Sequence, residues 1–87
     1  MVSEVMTRQG TVKLVILPKE DGNLVGIIVP FRAIRIRTED LIYVSPNCTT
    51  SDEVLEYLDA FCEIQQYQYT AIAPAESVRC NLNIIGA

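Results

Sequence analysis

The stretch from residue 11 to residue 29 constrains the fold of this chain more than any other. Two runs of β-branched and apolar residues, 11–17 (TVKLVIL) and 24–29 (LVGIIV), flank Pro18-Lys19-Glu20-Asp21-Gly22-Asn23, a cluster of turn formers. That pattern predicts an antiparallel hairpin. Successive strand side chains point to opposite faces, so Leu14, Ile16, Leu24 and Ile28 line one side, and Val15, Leu17, Val25, Ile27 and Val29 line the other. Both sides are apolar, and each needs a cover. Gly22 and Gly26 fit a turn and a place of close approach, not a phosphate loop.

Beyond the hairpin, Pro30 interrupts the sheet and residues 31–37 alternate, with Arg32, Ile34 and Ile36 on one face and Phe31, Ala33, Arg35 and Arg37 on the other. This predicts a third strand. Thr38-Glu39-Asp40 makes the next turn, and Leu41-Ile42-Tyr43-Val44 a short fourth strand ended by Ser45-Pro46-Asn47. Thr50-Ser51-Asp52-Glu53 matches a capping box and predicts a helix starting at Ser51. Within it Val54, Leu55, Leu58, Phe61 and Cys62 fall on one apolar stripe, and Asp52, Glu56, Asp59 and Glu63 mark the wet side. Residues 66–72 and 78–84 alternate as a fifth and a sixth strand.

The expected fold class is therefore α+β: a small antiparallel or mixed sheet in the order β-β-β-β-α-β-β with one packed amphipathic helix. Residues 1–10 are expected to be a flexible N-terminal tail and residues 11–87 a single domain. A helix of about 15 residues is only about 22 Å long and cannot cover both faces of the hairpin. Either the sheet curls into a partly closed barrel, or another copy of the chain covers the second face. The second option predicts a homo-oligomer with Val15, Val25, Ile27 and Val29 at the self-association surface.

Composition narrows the chemistry. No apolar run approaches the roughly 18 residues of a membrane span, and the first ten residues lack a basic stretch followed by an apolar one, so neither membrane insertion nor a secretory signal is expected. Cys48, Cys62 and Cys80 form no CxxC, and the chain has no histidine. Buried thiols in a reducing, cytoplasmic setting are the expectation, with no metal site and no cofactor. Lack of histidine also removes the commonest general base, and no catalytic constellation can be assigned. Cys48 stands just ahead of the expected helix start, where the helix dipole lowers a thiol pKa; a thiol-based redox protein is one alternative.

Charge is divided along the sequence. Six of the 7 basic residues precede Thr38, and eight of the 11 acidic residues follow Arg37. Glu56, Asp59 and Glu63 recur at helical spacing with no cation on the helix to pair with them. A basic protein partner on that face is the leading expectation, with Tyr67 and Tyr69 as a neighbouring aromatic contact edge. Tyr43 and Tyr57 are expected to pack at the edge of the core. Arg32, Arg35 and Arg37 are candidate phosphate contacts, although the net charge of -4 opposes nucleic acid as a partner.

One stretch carries a family resemblance. Asp21-Gly22-Asn23-Leu24-Val25-Gly26-Ile27-Ile28, between strands, resembles the D-G-x-x-x-G step of Sm-like small barrels that assemble into rings and bind RNA. The resemblance implies a small barrel that binds nucleic acid, here through Arg32, Arg35 and Arg37. The leading expectation from the residues themselves is a small non-enzymatic binding or regulatory module that acts through protein–protein contacts.

Overall fold

The computed structural model describes residues 11–68 and 72–80. The expected tail 1–10, residues 69–71 of the expected fifth strand with Tyr69, and residues 81–84 of the expected sixth strand lie outside the described residues.

The hairpin forms as β1 (Val12–Pro18) and β2 (Leu24–Pro30), paired antiparallel from Val12 opposite Pro30 to Pro18 opposite Leu24. Its loop is closed by the Lys19 N–H donating to the Asn23 carbonyl at 2.8 Å and the Gly22 N–H donating to the Lys19 carbonyl at 3.1 Å. Gly22 takes a φ of +88° there, a conformation that costs glycine little because it has no Cβ. The other elements are β3 (Arg35–Ile36), β4 (Tyr43–Val44), α1 (Ser51–Gln65), β5 (Ile72–Ala73) and β6 (Arg79–Cys80), with 3-10 turns at Thr38–Asp40 and Ala75–Ser77. The order is the expected one, with single turns added.

Four strands form a mixed sheet in the order β4-β2-β1-β5, in which β5 runs parallel to β1 and the other pairs are antiparallel. β4 and β5 stand at the two edges and do not meet, so the sheet is open and the barrel alternative is not realised. Beyond β4, Ser45 extends the contact with β2. Its N–H donates to the Gly26 carbonyl and its hydroxyl accepts the Gly26 N–H, both at 2.8 Å. Pro46 has no N–H to continue that ladder, and pairing resumes where Leu24 and Cys48 exchange backbone hydrogen bonds at 2.7 and 2.9 Å.

The helix covers one face. Val12, Leu14 and Ile28 form a core there with Cys48, Val54, Leu58 and Cys62. The capping box is present: the Thr50 hydroxyl accepts the Glu53 N–H at 3.2 Å, and the Glu53 carboxylate accepts the Thr50 N–H at 3.3 Å. Gly26 lets the helix sit close to β2. A Cβ at that position would lie 2.8 Å from Leu58 Cδ1 and closer still to Val54.

The second face is covered by the chain itself. Val15, Leu17, Val25, Ile27 and Val29 form a second core with Ile36 and Val78, ringed by half-buried Ala33, Leu41, Val44, Ala73, Ala75 and Cys80. This cover is the parallel β3–β6 ladder, which sets Arg35 beside Arg79 and Ile36 beside Cys80, together with the two 3-10 turns. Val15, Val25, Ile27 and Val29 are thus buried within one chain. The ground for placing a second copy over them, a face left bare by a single helix, is gone.

The third strand is shorter than the alternation implies. The Ala33 N–H donates to the Pro30 carbonyl at 3.0 Å in a turn that folds the chain over the back of the sheet, and the Lys13 ammonium donates to the Ala33 carbonyl at 2.6 Å. Only Arg35 and Ile36 then pair as strand. Ile36 points into the second core, and Ile34, expected on the same face, is left outside.

Candidate functional site

α1 has three sides. Val54, Leu58 and Cys62, at i, i+4 and i+8, are buried against the sheet. Glu56, Asp59 and Glu63 form an exposed acidic row on one flank. Next to that row, on the outward side, Tyr57, Ala60 and Ile64 line up at i, i+3 and i+7, with Tyr57 46% and Ile64 74% exposed. Sequence periodicity finds the core stripe and the acidic row. It misses the outer apolar line, since Tyr57 reads as core-edge packing until the helix is seated.

At the N-terminus of α1, the Glu53 carboxylate also accepts the Thr49 hydroxyl at 2.8 Å and the Thr49 N–H at 3.0 Å. These hydrogen bonds, the Thr49 hydroxyl first and then the backbone N–H groups of Thr49 and Thr50, hold its pKa below the ordinary value. Cys48 behaves in the opposite way to the redox expectation. It is buried, its thiol lies 3.4 Å from the Pro46 carbonyl, and desolvation, aided by the Glu53 charge, pushes its pKa up. Burial raises the Cys62 and Cys80 thiols as well.

The tyrosine expectations divide. Tyr43 stacks on Phe61 with ring centroids 4.4 Å apart, and Phe61 stacks on Tyr67 at 6.1 Å. Tyr67 is therefore half-buried in an aromatic stack that ties the chain after α1 to β4, rather than free on an outer edge. Tyr57, expected at the core edge, is the exposed one. Tyr69 lies outside the described residues.

Of the three candidate phosphate contacts, Arg37 is occupied. Its Nε lies 3.6 Å from Asp40 Oδ2 and its Nη1 lies 3.8 Å from Glu39 Oε2. Arg32 and Arg35 are exposed and make no ion pair among the described residues. Arg79 joins them, because the β3–β6 ladder places it directly beside Arg35. It stands alone in an acidic half of the sequence, and only the pairing of distant strands reveals its neighbour. Phe31 and Ile34, 52% and 64% exposed, project from the same segment. No group of three or more metal-ligating side chains is assembled among the described residues, and no helix among them is long and apolar enough to cross a membrane.

Two surfaces thus combine exposed apolar side chains with charge: the outer side of α1, which is acidic, and the segment 31–35 with Arg79, which is basic. No protein-family model, curated protein sequence or solved structure matches the chain.

Proposed function

We propose that the chain is a non-enzymatic binding module that takes a basic, amphipathic protein segment on the outer side of α1. The observation that supports this most is the exposed line Tyr57, Ala60 and Ile64 running beside the acidic row. Its apolar side chains supply contact area, and Tyr is a residue favoured at binding hot spots. The carboxylates add little affinity one by one, since exposed ion pairs contribute about 0–1 kcal/mol each. They steer encounter and select the sign of the partner. The buried thiols of Cys48 and Cys62 go with a reducing, cytoplasmic setting for such a module.

A synthetic helical peptide of leucine and lysine at 3–4-residue spacing serves as the probe. Stopped-flow fluorescence at low salt is expected to show fast association with the wild-type chain, slowed by Glu56→Gln/Glu63→Gln. Tyr57→Ala/Ile64→Ala is expected to weaken binding by about tenfold or more, equivalent to about 1.4 kcal/mol, mainly through faster dissociation. Equal kinetics for the wild type and both variants would remove α1 as the docking face.

A further inference from the structure

The two exposed apolar surfaces lie on opposite sides of the sheet and carry opposite charge. On one side, Tyr57, Ala60 and Ile64 run beside Glu56 and Glu63. On the other, Phe31 and Ile34 stand among Arg32, Arg35 and Arg79, and the Arg79 N–H donates to the Ile34 carbonyl at 2.6 Å, which makes the patch continuous. The Lys13 ammonium, seated on the Ala33 carbonyl, adds a cation at its margin. Acids are present in this layer too, but Glu39 and Asp40 are engaged by Arg37, and Glu76 alone is left near Arg79 in sequence. The surface keeps a cationic excess.

We propose that the partner of the α1 face is a second copy of this chain, seated through its Phe31, Ile34, Arg32, Arg35 and Arg79 surface, so that copies join head to tail. This rests on the reading of α1 as a docking face and names its occupant. Burial of Tyr57 and Ile64 against Phe31 and Ile34 supplies the attraction, and the opposed charges set which surfaces meet. Pairing α1 with α1 across a two-fold axis would set Glu56 and Glu63 against their own equivalents. Head-to-tail contact instead matches each row with its opposite. α1 is about 22 Å long and presents one helix width, short of the roughly 800 Å² per partner of a standard interface, so the association is reversible. Because the surfaces sit on opposite faces of one sheet, each contact leaves one of each kind free, and growth continues into a chain or a ring.

Sedimentation of the wild-type chain at low salt is expected to give a mean mass that rises with concentration above the 9.7 kDa of one chain and falls back in 0.5 M salt as charges are screened. Tyr57→Ser/Ile64→Ser and Phe31→Ser/Ile34→Ser alter exposed positions and each abolish one surface; both are expected to keep the wild-type circular dichroism and to sediment as single chains. Mixed in equal amounts they retain one intact surface of each kind, so they should form a 1:1 complex that grows no further. A wild-type mass fixed at one chain up to about 1 mM, which holds any association below about 4 kcal/mol, overturns the proposal. If the leucine–lysine peptide still binds under those conditions, the docking face stands and only its occupant is wrong; if it does not, both fall. Self-association that persists in either folded variant assigns assembly to another surface and overturns it as well. So does an oligothymidylate probe that binds a single-chain wild type and is lost with Phe31→Ser/Ile34→Ser, which would assign that surface to a polyanion.

Discussion

Glu53 organises the start of α1 from an exposed position. It accepts hydrogen bonds from Thr49 and Thr50, and its folded pKa is lowered as a result. The stabilisation is present in full above the unfolded pKa of about 4.3 and fades as pH falls through the lower folded value. Glu53→Gln is therefore expected to flatten the loss of thermal stability between about pH 5 and pH 2; an unchanged acid profile would detach the carboxylate from helix stability. Cys48 shows where residue-level inference stops. Its distance from the helix start was legible in the sequence and suggested a lowered pKa, but the hydrogen bonds to Leu24 that bury it join segments far apart in the chain. Desolvation, with the neighbouring Glu53 charge, pushes the thiol the other way.

Elements built from local signals were legible with their bounds; for those held by distant pairing the sequence showed the element and not its partner. β1, β2 and α1 follow their expected bounds because strand composition, Pro18, Pro30, the Gly22 turn and the capping box all act within a few residues. β3 shrinks from the expected 31–37 to two residues, and its partner β6, like the partner β1 of β5, lies far away in sequence. The same distance hid Arg79 from its neighbour Arg35. On α1, the inner and outer lines differ in what they hold. Leu58 is fully buried against Gly26, whereas Glu56 faces solvent. Leu58→Ala is expected to cost about 2–5 kcal/mol through lost contacts and a cavity, and Glu56→Gln almost nothing. Urea denaturation of the two variants checks this, and equal midpoints would mean that the helix is turned about its axis.

At the scale of the whole molecule, the sheet is the middle of three layers, with a continuous helix on one face and a patchwork of short ladders and 3-10 turns on the other. The second layer was not foreseen because the alternation at 31–37 and 78–84 marks strands without saying where they pack; Ile36 and Val78 are ordinary apolar residues until the chain folds back over the hairpin. It changes what a charge in that core should do. Val25→Asp buries a carboxylate among Val15, Ile27 and Val29 with no partner, so it is expected to unfold the chain or to lower its denaturation midpoint sharply. A variant of wild-type stability would mean that this face is open in solution. The patchwork also arrives late in time. During synthesis the hairpin and α1 leave the ribosome before Val78 and Cys80, so the back of β1 and β2 waits, wet and β-prone, for its lid. A run such as LVGIIV, rich in β-branched residues and uncharged, is the kind that cross-pairs between chains while it waits. Any delay between residues 66 and 80 lengthens that interval, and the cost falls on the yield of folded protein rather than on the stability of what has folded.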